Sequence, residues 1–283
     1  MKYYISLLAL GDNLISLSLL EQVDKTVKII GTKHTKNVAK LMGLENKFDI
    51  KVIFNDIPAF YDIKKQGIVR AVQDFYKFIK YIKTHNIKEI IFEKKDFRGC
   101  LVSFYAKVKV YYSCNVNKKV YENRQELINR VCKQSIDIKS YPLKIENPKV
   151  ILINPLTRVE LRSINHNHLK YIIDILKENR YEIYLIDIEN RYEEFRNEVT
   201  HYFTNTTLED VKQLILKSDL YIGGDSFLIH LAYYLKGNYF IFFYRDNDYF
   251  LPPNIEDDFY IKAHECDSFK KTLYDKFKNI GLI

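Results

Sequence analysis

The chain has no tryptophan and only two methionines, nine glycines, six prolines and four cysteines in 283 residues. So little glycine and proline excludes a collagen-like or flexible low-complexity chain. The cysteines, Cys100, Cys114, Cys132 and Cys266, form no CxxC pair and no metal-ligand spacing, which excludes a zinc ribbon. The expectation is buried free thiols in a reducing compartment. No apolar run approaches the ~20 residues that a membrane-spanning helix needs. The start, Met1-Lys2-Tyr3-Tyr4-Ile5, lacks the long apolar stretch and cleavage site of a secretory signal. These absences lead to the expectation of a cytoplasmic protein that can rest on a membrane surface.

What is present is ordinary globular material. Hydrophobic residues make up 47% and charged residues 28%, with 23 Tyr and 18 Phe. That balance excludes a disordered chain and supplies cores for one large domain or two ordinary ones. The formal charge is 44 − 36 = +8. Its distribution says more. Residues 1–145 carry 27 Lys+Arg and 14 Asp+Glu, or +13, and residues 146–283 carry 17 and 22, or −5. Such a split predicts two domains with different partners.

Short apolar runs alternate with amphipathic stretches. Strands are predicted at 3–9, 27–30, 51–54, 89–92 and 108–112, with helices near 13–23, 34–42, 66–84, 99–106 and 124–133. The segment Ser140–Pro148 holds two prolines and no periodicity, and reads as a linker. Beyond it, strands are predicted at 150–153, 183–188, 220–222 and 239–244, and helices at 168–178, 208–217, 228–235 and 269–279. This alternation predicts an α/β chain with parallel sheets. Two Rossmann-like domains are expected, 1–145 and 146–283, with a cleft between the carboxyl ends of their sheets, where open α/β sheets bind ligands.

Three stretches carry chemistry. The first strand runs into Leu10-Gly11-Asp12-Asn13. Gly11 suits a tight turn, and Asp12 either caps the next helix or presents a general base. This is not a GxGxxG turn, so a dinucleotide site is not indicated. In the second half, Asn154-Pro155-Leu156-Thr157-Arg158 continues to Arg162. It is either a solvated loop or a phosphate site, because a guanidinium offers paired, permanently charged donors. The third stretch is Gly223-Gly224-Asp225-Ser226-Phe227-Leu228-Ile229-His230-Leu231-Ala232. There a strand meets a helix N-terminus, whose unpaired N–H groups attract anions. His230 falls about one turn into that helix, in either a structural or a functional role. Asp246-Asn247-Asp248 has the spacing of a metal-binding carboxylate pair but reads as a turn.

Together these stretches resemble the ADP-heptose:lipopolysaccharide heptosyltransferases, glycosyltransferase family 9. The strand–Gly11-Asp12–helix opening is similar to that family's start. Asp225-Ser226-x-x-x-His230-Leu231-Ala232 is similar to its Asp-Thr/Ser-Gly-x-x-His-Leu-Ala signature. Glu89–Glu93 with Arg98-Gly99, and Leu251-Pro252-Pro253, fall where the family has a strand with a polar loop and a late proline. The resemblance implies a GT-B fold and metal-independent, inverting transfer of a sugar from a nucleotide-diphosphate donor such as ADP-heptose, with no cofactor. It implies Asp12 as the base. Thr157, Arg158 and Arg162 would hold the diphosphate, and Gly224 and Asp225 would meet the donor. Ser226 would hold phosphate, and His230 would shape the site. Gly11, Lys64, Lys65 and Arg98 are the corresponding acceptor candidates.

One departure stands out, since the family's small glycine after the Asp-Thr/Ser pair is Phe227 here. The acceptor implied is an anionic glycolipid or oligosaccharide of the lipopolysaccharide type at the inner face of the cytoplasmic membrane. The basic first domain would be drawn to such a surface, with Lys64, Lys65, Arg70, Lys77, Lys80 and Lys83 its best candidates. A solvated lysine-rich face is the plainer alternative. Rival functions are a nucleotide-sugar epimerase of GT-B-like fold, a catalytically inactive scaffold, and a basic nucleic-acid-binding protein. No RNP, KH, zinc-finger or helix-turn-helix signature supports the last, so no nucleic-acid partner is expected.

Overall fold

The computed structural model describes residues 2–24, 26–93, 96–112, 118–244, 248–253, 255–263 and 268–283. It divides into two compact units, Met1–Ile138 and Lys139–Ile283.

The first unit runs β1 (Lys2–Ser6), α1 (Leu10–Leu20), β2 (Val27–Thr32), α2 (Lys33–Leu41), β3 (Phe48–Phe54), α3 (Ile63–Gln66), α4 (Ile68–Thr84), β4 (Glu89–Phe92), α5 (Phe97–Ala106), β5 (Lys109–Tyr112) and α6 (Val120–Cys132). Its strands pair in parallel in the order β3-β2-β1-β4-β5. Tyr4, Ile29, Ile30, Ile90 and Ile91 are buried, as expected of strands covered on both faces.

The second unit runs β6 (Val150–Asn154), α7 (His166–Glu178), β7 (Glu182–Ile186), β8 (His201–Phe203), α8 (Leu208–Lys217), β9 (Leu220–Gly224), α9 (Phe227–Tyr234), β10 (Tyr239–Phe243), β11 (Tyr260–Lys262) and α10 (Phe269–Asn279). Its sheet is also parallel, in the order β11-β10-β9-β6-β7-β8. Both orders are doubly wound. The strand sequence reverses direction between β1 and β4 in one unit and between β6 and β9 in the other. Such switch points leave a crevice at the carboxyl ends of the strands.

The structure corrects several local expectations. Gly11 is not in a turn. Helix α1 already starts at Leu10 behind Ala9, so Gly11 and Asp12 both lie in its first turn and Asp12 is not the cap. The basic helix expected at 66–84 is α4 and starts at Ile68; Gly67, with a φ of +84°, separates it from the short α3 that carries Lys64 and Lys65. The 140–148 segment is tied to the second unit, because the Asn238 side chain bonds both the N–H and the C=O of Lys144. The units therefore part before Pro142, at 138/139. Of the cysteines, Cys100 is exposed and Cys132 partly buried, while Cys114 and Cys266 lie outside the described residues. Strands β8 and β11, three residues each, carry too short a pattern to be read from sequence; both sit at sheet edges.

Candidate active site

At the β1/β4 switch point, Asp12 follows β1 and Glu93 follows β4. Arg124, projecting from α6, joins them. Its Nη2 donates to Asp12 Oδ1 at 2.7 Å and to Glu93 Oε2 at 3.1 Å, and its Nη1 donates to the Asp12 carbonyl at 2.6 Å. Arg124 and Glu93 are buried, whereas the Asp12 side chain keeps 23% of its surface open to solvent. Arg124 engages Oδ1 of Asp12.

Behind the pair lies a polar chain inside an apolar wall. Tyr4 OH donates to Ser16 Oγ at 3.0 Å, and Ser16 Oγ donates to Glu93 Oε1 at 2.7 Å. Ser6 Oγ lies 2.6 Å from Asn13 Oδ1, which also accepts from Thr35 Oγ1 at 2.8 Å. Burial pushes the Glu93 carboxyl up to about 7; the negative charge of Asp12 adds to this, while Arg124 and the serine hydroxyls oppose it. Burial likewise pushes the Tyr4 phenol well above its ordinary value. The cluster thus couples a half-open carboxylate to a buried one through a shared guanidinium.

At the β6/β9 switch point, the loop after β6 folds over the end of β9. The Ile164 N–H donates to the Pro155 carbonyl at 2.9 Å, and the Thr157 N–H to Ser163 Oγ at 3.0 Å. The loop ends in a short 3-10 turn, Glu160–Arg162, and Arg162 Nη1 meets Asp225 Oδ2 at 3.3 Å. A Cβ on Gly224 would lie 2.6 Å from the Arg162 carbonyl oxygen and 2.8 Å from Thr157 Cγ2. Only glycine permits this approach. Ser226 caps α9 by accepting from the Leu228 N–H at 3.3 Å, so α9 begins directly after Gly224 and Asp225. His230 is buried one turn into α9.

Of the residues singled out from sequence, Thr157, Arg162, Gly224, Asp225 and Ser226 therefore come together. The Thr157 hydroxyl proton turns to the Val159 carbonyl at 2.7 Å, so this side chain offers its oxygen rather than a donor. Arg158 is exposed on the loop. Lys64 and Lys65 are exposed on α3. Arg98 is held by Asp96, with Nε at 2.8 Å from Oδ2, and stacks over the Tyr61 ring at 4.1 Å; it has no bond in the Asp12 cluster. Of Asp246-Asn247-Asp248, the first two lie outside the described residues. Asp248 pairs with Lys262 at 3.2 Å.

Sequence reasoning missed Arg124 and the role of Glu93. Glu93 carried a weak signal, a carboxylate directly after a buried strand. Arg124 carried none, being one of many basic residues in the first half.

No protein-family model and no curated protein matches the sequence. Solved structures do match. Escherichia coli heptosyltransferase WaaC with ADP-2-deoxy-2-fluoro heptose aligns over 99% of both chains, with a TM-score of 0.67 and 12% identity. A family 9 glycosyl transferase from Veillonella parvula aligns over 99% of this chain and 96% of its own, with a TM-score of 0.64 and 10% identity. A putative UDP-N-acetylglucosamine 2-epimerase from Listeria monocytogenes covers 99% and 87%, with a TM-score of 0.59 and 13% identity. At these identities the likeness establishes the fold. The chain has the GT-B fold, built from two doubly wound parallel sheets.

Proposed function

We propose that this protein is an inverting glycosyltransferase that moves a sugar from a nucleotide-diphosphate donor, such as ADP-heptose, to an anionic glycolipid or oligosaccharide of the lipopolysaccharide type. The observation that carries the reading is the gathering of Arg162, Asp225 and Gly224 beside the capped N-terminus of α9, at the switch point of the second sheet. A guanidinium and a helix N-terminus neutralise a departing diphosphate without requiring a metal. Asp225 both orients Arg162 and offers acceptors to sugar hydroxyls. The neighbouring WaaC structure was solved with an ADP-sugar analogue, which fits a donor of this class.

In this reading the first unit serves the acceptor. Asp12 takes the proton from the attacking hydroxyl. The hydroxyl oxygen then bonds to the anomeric carbon from the face opposite the diphosphate, and the bond from that carbon to the phosphate oxygen breaks. Arg124 fixes the Asp12 carboxylate in position. The acceptor lies at the inner face of the cytoplasmic membrane, and the protein attaches there peripherally from the cytoplasm, drawn by its basic first half.

The test is transfer in solution. The protein, ADP-heptose and a deacylated lipopolysaccharide-core acceptor should give an extended product and ADP. Donor alone should give neither ADP at a comparable rate nor an epimer. An epimer formed without acceptor would establish the epimerase instead. Failure of any nucleotide sugar to raise the melting temperature would remove the donor site from the second unit.

A further inference from the structure

Helices α4 and α5 of the first unit turn large apolar side chains to solvent. On α4, Ile68, Val69, Val72 and Tyr76 are each 63–70% exposed. At 100° per residue these positions, with Lys83, span one side of the helix. The adjoining side, at Ala71, Phe78 and Ile82, is buried in the core. The apolar face of α4 is thus about twice as wide as the core needs. On α5, Phe97, Leu101, Phe104 and Tyr105 share one face, opposite buried Gly99, Val102 and Ala106, and Phe104 is 75% exposed. The two stripes flank a groove of about 500 Å3, floored by Phe60, Phe75 and Ile79.

This concentration of exposed apolar surface marks an interaction face. Its charge identifies the partner. Lys64, Lys65, Arg70, Lys80 and Lys83 are exposed on or beside α4. Of the carboxylates nearby, Asp96 is paired with Arg98 and Asp74 accepts from the Ala59 N–H at 2.8 Å, while Asp62 is exposed beside the α3 lysines, so the cations of this face outnumber its unpaired carboxylates. An apolar stripe with amphipathic tyrosines and a cationic border, on a helix with a basic polar face, has the composition of a segment that lies in a headgroup layer. Among the described residues no helix is long and apolar enough to cross a membrane, so the contact is with a surface.

We propose that the exposed faces of α4 and α5 dock the protein on an anionic lipid bilayer, with Val72 and Phe104 entering the headgroup–acyl boundary and the lysines meeting lipid phosphates. This deepens the reading of a membrane-held acceptor by naming the attachment face. Unlike attraction by the basic half alone, such docking keeps an apolar component that salt does not screen.

The experiment is sedimentation of the full chain with phosphatidylcholine vesicles, with and without phosphatidylglycerol, at low and high salt. Wild type should bind the anionic vesicles and retain part of that binding at high salt. The double variant Val72→Asp/Phe104→Asp should bind at least about tenfold more weakly. Both positions are exposed, so folding should persist, and an unchanged melting temperature and unchanged ADP-induced stabilisation would confirm it. Arg70→Glu/Lys80→Glu should reduce the preference for phosphatidylglycerol. Equal vesicle binding by wild type and the Asp double variant would overturn the proposal. So would wild type that ignores vesicles but self-associates through this face in sedimentation velocity. Vesicle binding without any nucleotide response would uphold the docking face and count against the transferase reading alone.

Discussion

Arg124 Nη2 lies 2.7 Å from Asp12 Oδ1, joining residues 112 positions apart, and the same nitrogen lies 3.1 Å from Glu93 Oε2. One guanidinium thus serves two carboxylates at the end of the first sheet. It holds the more exposed carboxylate in place and compensates the buried one.

If Asp12 is the base, Asp12→Asn should lower transfer at least about a hundredfold while ADP affinity is unchanged. Progress curves with saturating donor, set beside titration calorimetry with ADP, would check both halves. Near wild-type transfer would remove the assignment.

Removing the shared cation leaves two carboxylates facing each other, one of them buried. Arg124→Met should therefore destabilise the first unit by about 3–5 kcal/mol. The urea midpoint reads this directly. Arg124→Lys should recover only part of the loss, because an ammonium cannot reproduce the paired geometry.

The Glu93 carboxyl, raised to about 7 mainly by burial, gives a signed pH dependence. Between its ordinary value and about 7 the folded state holds a proton that the unfolded state has released. The contribution is therefore fully present below the ordinary glutamate range and is lost as pH rises through about 7. Wild-type stability relative to Glu93→Gln should fall across that window. A flat difference in paired unfolding curves would show that Glu93 titrates normally.

Arg162→Ala and Asp225→Ala should each weaken donor binding by roughly ten- to a hundredfold, the worth of a hydrogen bond to a charged group. Arg158→Ala, on an exposed part of the loop, should cost less. Calorimetry with ADP-heptose would rank the three, and an equal or larger loss at Arg158 would move the phosphate contact to that residue.

Gly224→Ala places a methyl 2.6 Å from the Arg162 carbonyl, so the loop must shift. A stability cost of about 1–3 kcal/mol is expected, together with weaker ADP binding. Thermal melts with and without ADP would separate the two effects.

The alternation of apolar runs and amphipathic stretches made the parallel α/β character legible in the sequence, because buried strands and core-facing helices must each keep their own period. Asp225-Ser226 before α9 was legible for the same local reason, since a helix start needs a cap and leaves N–H groups open. Ser226 does cap α9. The start of α1 was less legible. Ala9 caps it without a side-chain bond, so Gly11 read as a turn although it is helical.

The sequence by itself therefore determined the repeated βα units, the uneven charge, and a short set of polar residues near strand ends. Tertiary structure decided which of these meet. Strand order brings β4 beside β1 and β9 beside β6, so Glu93 reaches Arg124 and Asp225 reaches Arg162. Such pairings span dozens of residues and leave no periodic trace. Tertiary structure likewise decided that half of the apolar face of α4 stays uncovered, because periodicity says which residues share a face but not whether another element arrives to bury it.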